Sequence, residues 1–472
     1  MSKDLDRVFN PRCVAVVGDK RANGYMWLRS LSHFSGRVYS VQVDPNELPG
    51  IKELGVQNYF SLLDVPDIID YAVIAVPRTV AAQIVRECIQ KGVTGATLFT
   101  SGFSETGTEE GKQLEAVVAR IAREANFNLI GPNCMGVYNP KIGLRQDLRQ
   151  YWGEHGVVGF IAQSGTVAIA FSILANSQGI KVSKTVSYGN GAVLDSADFL
   201  EYLAEDAETK IIGLYVEGVR QGQRFFRTLR ETAQRKPVVV WKGGEGEEGA
   251  RAIASHTGSL ASPQAVWDAL IKQCGAIKAD GLDTMIDIIK ALLYLKPPRG
   301  NRVALVAMSG GESVVMTDDF TRAGLRVPQL SESSYQDFRS FFNPIGGSYA
   351  NPLDISWNMP STTHLLRILT VLSNDINIDS IVLELLLPNL ALRWEYDSHF
   401  LDDLINTLAE FRLTCPKPFL VVLSPWDMEM QAKKIQVKLS ERGICSFPSF
   451  QRAARALREL QRFYQSGHPS TN

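Results

Sequence analysis

The pattern that most constrains this chain is a recurring pair: a short apolar, β-branched run, then a longer stretch that reads as a helix. Five such runs open the sequence: CVAVVG (Cys13–Gly18), VYSVQV (Val38–Val43), YAVIAVP (Tyr71–Pro77), GATLFTSG (Gly95–Gly102) and NLIGPN (Asn128–Asn133). Segments such as VAAQIVRECIQKG and EGKQLEAVVARIAREAN lie between them. Strands that are apolar throughout need both faces covered. Alternation with helices therefore predicts a parallel sheet with helices on both sides.

The pattern restarts after an irregular segment, Lys141–Gly156, with GVVGFIAQSG, VSKTVSYGN, KIIGLYVEG and PVVVWKGG. KPPRGN (Lys296–Asn301) has the composition of a linker. A third series follows with RVALVAMSGG, DSIVLELLLP and PFLVVLSP. GFIAQSGTVAIAF and ALVAMSGGESVVM both read as strand, Ser-Gly turn, helix, which suggests two flavodoxin-like units with ligands at the carboxyl ends of their strands. The expected division is 1–145, 146–296 and 297–472.

A chain of 472 residues exceeds one compact core, which agrees with several domains. A formal net charge of −1 provides no field for steering nucleic acid or an acidic membrane. No apolar run approaches the ~20 residues that span a bilayer, and MSKDLDRVFN lacks a signal-peptide core. The six cysteines are scattered without CxxC spacing, which argues against a metal site or disulfide framework and fits a reducing cytoplasm.

Three segments could carry chemistry. In RAIASHTGSLASPQAV (Arg251–Val266), His256 sits among small polar residues just before a helical stretch. It is either an exposed turn histidine or a nucleophile whose neighbours must let a bulky group approach. In AQSGTVAIAF, a strand delivers Ser164, Gly165 and Thr166 to the first turn of a helix, where free N–H groups, the dipole and two hydroxyls suit an anion. The plain alternative there is an N-cap. Glu217 follows the strand IIGLYV, where a carboxylate could orient an imidazole by accepting from one ring nitrogen. Its plain alternative is a surface glutamate paired with Arg220 or Arg224.

The first unit adds VVGDKRANGY, with Gly18 and Gly24 in a strand–loop–helix turn, and Asp44 at the end of the second strand. These admit a nicotinamide-dependent oxidoreductase, although the full GxGxxG is absent and no hydride-transfer constellation is evident. Nothing reads as a P-loop.

Taken in order, CVAVVG, YAVIAVP, SGFSE, LIGPNCMGVYNP, AQSGT, VSYGN, ADFLEYLAEDAETKIIGLYVEG, PVVVWKGG and ASHTGSLA resemble the α subunit of NDP-forming acyl-CoA synthetases. These are the ADP-forming group related to succinyl-CoA synthetase. RVALVAMSGGESV, AGLRVPQLS and NPLDIS (Asn351–Ser356) resemble that family's third domain, so the likeness runs from about Arg12 to about Phe450. The resemblance implies a Rossmann-like CoA-binding domain followed by two succinyl-CoA synthetase-like flavodoxin domains. It also implies a reversible relay: acyl-CoA and phosphate give an acyl phosphate and CoA, the acyl phosphate phosphorylates a histidine and releases the carboxylic acid, and the phosphohistidine hands its group to a nucleoside diphosphate. By the same resemblance His256 is the phosphohistidine, Glu217 its orienting carboxylate, and Ser164, Gly165 and Thr166 the helix terminus that holds the phosphoryl group.

For CoA the resemblance points to Gly18, Lys20, Gly24, Val76, Pro77, Thr100, Ser101, Gly102 and Asn133. Here the chain departs from the family pattern: GDKRANG replaces GASxxPGKxG, and VDPNE replaces Asn-Pro-Lys, which removes a phosphate-binding lysine and leaves Lys20 or Arg21 to stand in. Family enzymes also use an ATP-grasp domain, which no segment here resembles. The expectation is a separate β subunit carrying ATP/ADP and Mg2+, in an α2β2 assembly. The competing reading on the same fold is a non-catalytic regulatory or scaffold protein that binds CoA or acyl-CoA. Cys134, beside the proposed thioester site, reads as a small packing residue.

Overall fold

The structure is a computed structural model, and it describes residues 5–249, 251, 263–356, 361–394 and 399–467. They form two compact units: 1–176 with 180–282, and 177–179 with 283–472.

The first unit holds two sheets. One contains β1 (Cys13–Val17), β2 (Arg37–Val41), β3 (Gln57–Tyr59), β4 (Tyr71–Ile74), β5 (Gly95–Leu98) and β6 (Asn128–Ile130). All are parallel, in the order β3-β2-β1-β4-β5-β6. This is the dinucleotide-fold order, with the chain reversing direction across the sheet between β1 and β4. The all-apolar sequence CVAVV is explained by its two covered faces: Val14 and Val16 enter one core, Cys13, Ala15 and Val17 another.

The second sheet contains β7 (Gly136–Tyr138), β8 (Val158–Ala162), β9 (Val182–Ser187), β10 (Ile211–Val216), β11 (Val238–Lys242) and β12 (Ile277–Ala279). Its order is β12-β11-β10-β8-β9-β7, parallel except for β7, which runs antiparallel to β9. From β8 onward this is the flavodoxin order, with the reversal between β8 and β10. The segment between β6 and β7 crosses from one sheet to the other. Where it arrives, β7 is tied back by Val137 N–H donating to Tyr71 Oη at 3.2 Å, and Asn139 just beyond β7 donates from Nδ2 to Phe9 O at 3.0 Å.

The second unit has one parallel sheet of β13 (Val303–Ala307), β14 (Leu353–Asp354), β15 (Ser380–Leu386), β16 (Phe419–Ser424) and β17 (Cys445–Phe447), ordered β14-β13-β15-β16-β17. This too is a flavodoxin order. β3, β7, β12, β14 and β17 have two or three residues each, and the first three carry polar or small residues that give no apolar run to read. Among the described residues no helix is long and apolar enough to cross a membrane.

Candidate functional site

Two candidate sites lie at the reversal points of the first unit's sheets, where loops diverge to opposite faces. The first, of about 890 Å³, takes in Gly18, Lys20, Val76, Pro77, Thr100, Ser101 and Asn133 from the sequence-derived set. Gly24 and Gly102 are not among its lining residues. Gly18 is at φ +84°, and a Cβ there would stand 2.7 Å from Val76 Cγ1 and 2.9 Å from Ala75 O, so glycine alone lets the two strand ends approach. The rim is then stitched laterally: Thr100 Oγ1 donates to Val76 O at 2.6 Å, and Asn133 N–H donates to Thr100 O at 3.0 Å. Exposed Val43 and Phe60 make the outer walls apolar. Such a slot suits an extended pantetheine arm held by backbone polar groups.

The loop that follows β1 carries acidic side chains. Asp19 is buried, and its carboxylate accepts Leu28 N–H at 2.9 Å and Lys20 N–H at 3.1 Å. It thereby satisfies a first-turn amide of the short helix Met26–Ser30. Burial pushes the Asp19 carboxyl up, and the Leu28, Lys20 and Trp27 amides work against that. Asp44, Glu47 and Glu87 also line the crevice. Glu47 accepts Arg21 N–H at 2.7 Å. Lys20 is the single lysine or arginine among the described lining residues.

The second candidate site lies at the ends of β8 and β10. Their register pairs Ala162 with Tyr215, which puts Gln163 beside Val216 and brings Ser164–Thr166 and Glu217 to one edge. Gln163 is buried, and its Oε1 accepts Glu217 N–H at 2.8 Å and Gly218 N–H at 3.1 Å. Two backbone donors on one atom also fix the amide's orientation, because only its oxygen can accept both. Glu217 is itself buried at 4% exposure, and Oε1 accepts the Tyr215 hydroxyl at 3.0 Å. Arg220 is paired with Glu115 at 2.9 Å, and Arg224 with Asp198 and Glu201. A surface glutamate paired with those arginines is therefore not what β10 ends in.

Ser164 starts the helix Gly165–Ser177, with Val167 N–H reaching Ser164 Oγ at 3.4 Å. That is a weak N-cap bond, and Thr166 is exposed at the same terminus. Gly165 has Met135 Cγ 2.7 Å from where a Cβ would be, so the helix start packs against the GPNCMG crossing segment. His256 lies outside the described residues, and its position relative to Glu217 is accordingly not part of this geometry.

Sequence reasoning missed four contributors. Gln163 and Asp19 act through hydrogen bonds to residues distant in sequence or on a separate turn. Tyr215, whose phenol is pushed up by burial and by Glu217, was hidden in an apolar run. Lys242, at the end of β11, is 1% exposed and sits 5.6 Å from the Trp267 ring centre; burial pushes its ammonium down and Glu217 pulls it up. The Lys in PVVVWKGG was its only signal. Cys134 is buried at 3% exposure and desolvation raises its thiol to about 12, so it packs and is no nucleophile at neutral pH.

Comparison with known proteins agrees with this arrangement. Residues 12–140 match the CoA binding domain family, and residues 155–292 match the succinyl-CoA ligase like flavodoxin domain. The α subunit of acetate–CoA ligase [ADP-forming] II from Pyrococcus furiosus is 36% identical over 392 residues, 82% of this chain and 83% of the relative. The α subunit of acetate–CoA ligase [ADP-forming] I from the same organism is 33% identical over 466 residues, 97% of each chain. A solved structure of the dinucleotide forming acetyl-coenzyme A synthetase 1 of Ca. Korarchaeum cryptofilum, in complex with phosphate and ADP, superposes with a TM-score of 0.83 at 30% identity, covering 98% of this chain and 97% of that one. By sequence and by fold, this chain belongs to the family of ADP-forming acyl-CoA synthetase α subunits.

Proposed function

We propose that this chain is the catalytic α subunit of an ADP-forming acyl-CoA synthetase, interconverting acyl-CoA, ADP and phosphate with a carboxylic acid, CoA and ATP. The observation that carries the reading is the meeting of Ser164–Thr166 and the buried Glu217 at one reversal point. Phosphate attacks the thioester carbonyl, and CoA leaves as the thiol. His256 then attacks the phosphorus of the acyl phosphate, and the P–O bond to the carboxylate breaks. Phospho-His256 finally passes its group to ADP. Glu217 accepts from one imidazole nitrogen and leaves the other free to attack. The Gly165–Ser177 terminus, with Ser164 and Thr166, stabilises the transferred phosphoryl group electrostatically.

In this reading the three domains are 1–145, 146–296 and 297–472, and Gly18, Lys20, Gly24, Val76, Pro77, Thr100 to Gly102 and Asn133 belong to the CoA site. ADP and Mg2+ would be held by an ATP-grasp β subunit in an α2β2 assembly working in the cytoplasm. The Mg2+ would neutralise nucleotide phosphate charge during transfer.

The test is phosphorylation of the purified chain, with and without an ATP-grasp partner, from acyl-CoA and labelled phosphate. Acid-labile, base-stable label mapping to His256, abolished in H256A with CoA binding retained, is the expected outcome. No label under either condition across a panel of acyl-CoAs would leave a CoA-binding protein without this chemistry.

A further inference from the structure

The two candidate sites of the first unit are joined through one side chain. Asn190 lies in the loop after β9 and is 5% exposed. Its Nδ2 donates to Glu105 Oε2 at 2.6 Å and to Glu115 Oε2 at 2.8 Å, one amide hydrogen for each carboxylate. Only the nitrogen can serve both, so the amide's orientation is fixed, and Oδ1 accepts Asn133 Nδ2 at 3.5 Å. The backbone is engaged as well: Asn190 N–H donates to Pro132 O at 3.0 Å, and Asn190 O accepts Arg220 Nη2 at 3.0 Å.

Each of these bonds leads to a loop of one site. Glu105 Oε1 accepts Gly102 N–H, and Phe103 N–H at 3.1 Å, which ties Asn190 to the Thr100–Gly102 rim of the first crevice. On the other side Arg220 also donates to Glu115 Oε1 at 2.9 Å. It stands two residues beyond Gly218, whose amide shares Gln163 Oε1 with that of Glu217. The loops meet closely: Gly189 is at φ +54°, and a Cβ there would stand 2.3 Å from both Asn133 O and Pro132 O. Asn133 is itself left-handed at φ +61°, a conformation held by its surroundings. Beside the network lies a cavity of about 750 Å³, lined by Ser104, Glu115, Gln163, Asn190, Gly218 and Arg220 among others. Hydrogen bonds, more than packed apolar side chains, therefore set the spacing of these loops.

That spacing matters to the relay. The phosphate oxygen must reach the thioester carbonyl carbon at about 3–3.5 Å, although the thiol and the phosphoryl group are held by loops of different sheets. We propose that Asn190 is a positioning residue for acyl transfer: it ties the thiol-site rim to the end of β10 and so fixes the distance between the two sites, without touching either reactant. This rests on the relay reading above and deepens it. The thioester-to-phosphate step then depends on Asn190, whereas the later transfer from acyl phosphate to His256, which needs the second site alone, does not.

The experiment is single-turnover labelling of His256 in the full chain, wild type and N190A, from two donors. One is acetyl-CoA with labelled phosphate, or the acyl-CoA that labels the wild type best, and it requires both steps. The other is the matching labelled acyl phosphate, which enters after the thioester step. N190A is expected to lose about 10²-fold from the acyl-CoA, the scale of a 1 Å misplacement. Its labelling from the acyl phosphate and its CoA affinity by calorimetry should stay within about threefold of wild type. Melting temperature checks the fold. R220Q, at a half-exposed side chain, keeps the test available if N190A does not fold, and a smaller loss with the same split between donors is expected. An equal loss from both donors, or no loss from either, in a folded N190A or R220Q overturns the positioning role and leaves the relay standing. A wild-type chain labelled by neither donor, with or without an ATP-grasp partner, overturns the relay and this inference with it.

Discussion

Gln163 holds Glu217 by its backbone, not by its carboxylate, which separates two effects that a single variant would confuse. E217Q keeps a carbonyl oxygen for the Tyr215 hydroxyl and leaves the two amides on Gln163 intact. It is expected to lower the phosphorylation rate about 10²-fold or more with little change in melting temperature. Q163L strands the Glu217 and Gly218 amides in a buried setting, at a cost of about 2–4 kcal/mol, and should slow phosphorylation as well. Urea unfolding alongside single-turnover labelling distinguishes the two. An E217Q enzyme with unchanged rate would remove Glu217 from the chemistry. At this scale the sequence was partly readable. Glu217 stood out as the first acid beyond an apolar run, while Gln163 looked like any polar residue before a Ser-Gly turn. Its meaning depends on two amides fifty-odd positions away, a pairing that exists only once β8 and β10 are neighbours.

At the scale of elements, all three sheets place polar groups at the carboxyl ends of strands flanking the reversal. In the second unit β15, which flanks the reversal, buries Glu384 two residues short of its end, with Met308 N–H donating to Oε2 at 3.0 Å. Burial pushes this carboxyl up to about 7 against the pull of the Met308 amide, and Glu312 and Asp354 push the same way as burial. The folded state therefore holds its proton more tightly than the unfolded chain, whose glutamate titrates near 4.5. Stability from this group is present below the unfolded value and is lost as pH rises through about 7, by about 3 kcal/mol in full. E384Q removes the titration, so its gain over wild type in urea or heat should be small at pH 5 and larger at pH 8. An equal difference at both pH values would rule out the buried proton. IVLELLL reads as a core strand despite its glutamate, because six apolar neighbours outweigh one acid in any periodicity argument.

For the whole molecule, three sheets in two units leave the nucleotide chemistry to be accounted for. In the proposed reading the two candidate sites of the first unit take a thiol and a phosphoryl group, and among the described residues neither has the glycine-rich lysine loop of a nucleoside triphosphate site. ATP formation from acyl-CoA, ADP and phosphate is expected only when an ATP-grasp partner is added to the purified chain, read as luminescence or coupled absorbance. ATP made by this chain alone would refute the division of labour.

Apolar strand runs, their helical partners and the residues at the strand ends were legible because each is local: burial on two faces demands continuous apolar sequence, and a doubly wound sheet then assigns ligands to carboxyl ends. CVAVV, VGFIA and VALVA each announced a central strand, and Gly18, Ser164 and Glu217 lay where such strands stop. The short edge strands, the antiparallel turn of β7, the amide lock of Gln163 and the hold of Asp19 on Leu28 N–H were decided by tertiary structure. Each consists of hydrogen bonds between segments that approach only after the sheets have formed, and such bonds leave no periodic trace in the sequence. The acidic character of the first crevice belongs with them: Asp44 and Glu47 share the turn after β2 while Glu87 comes from the helix Ala81–Lys91, and only the fold makes one electrostatic surface of them.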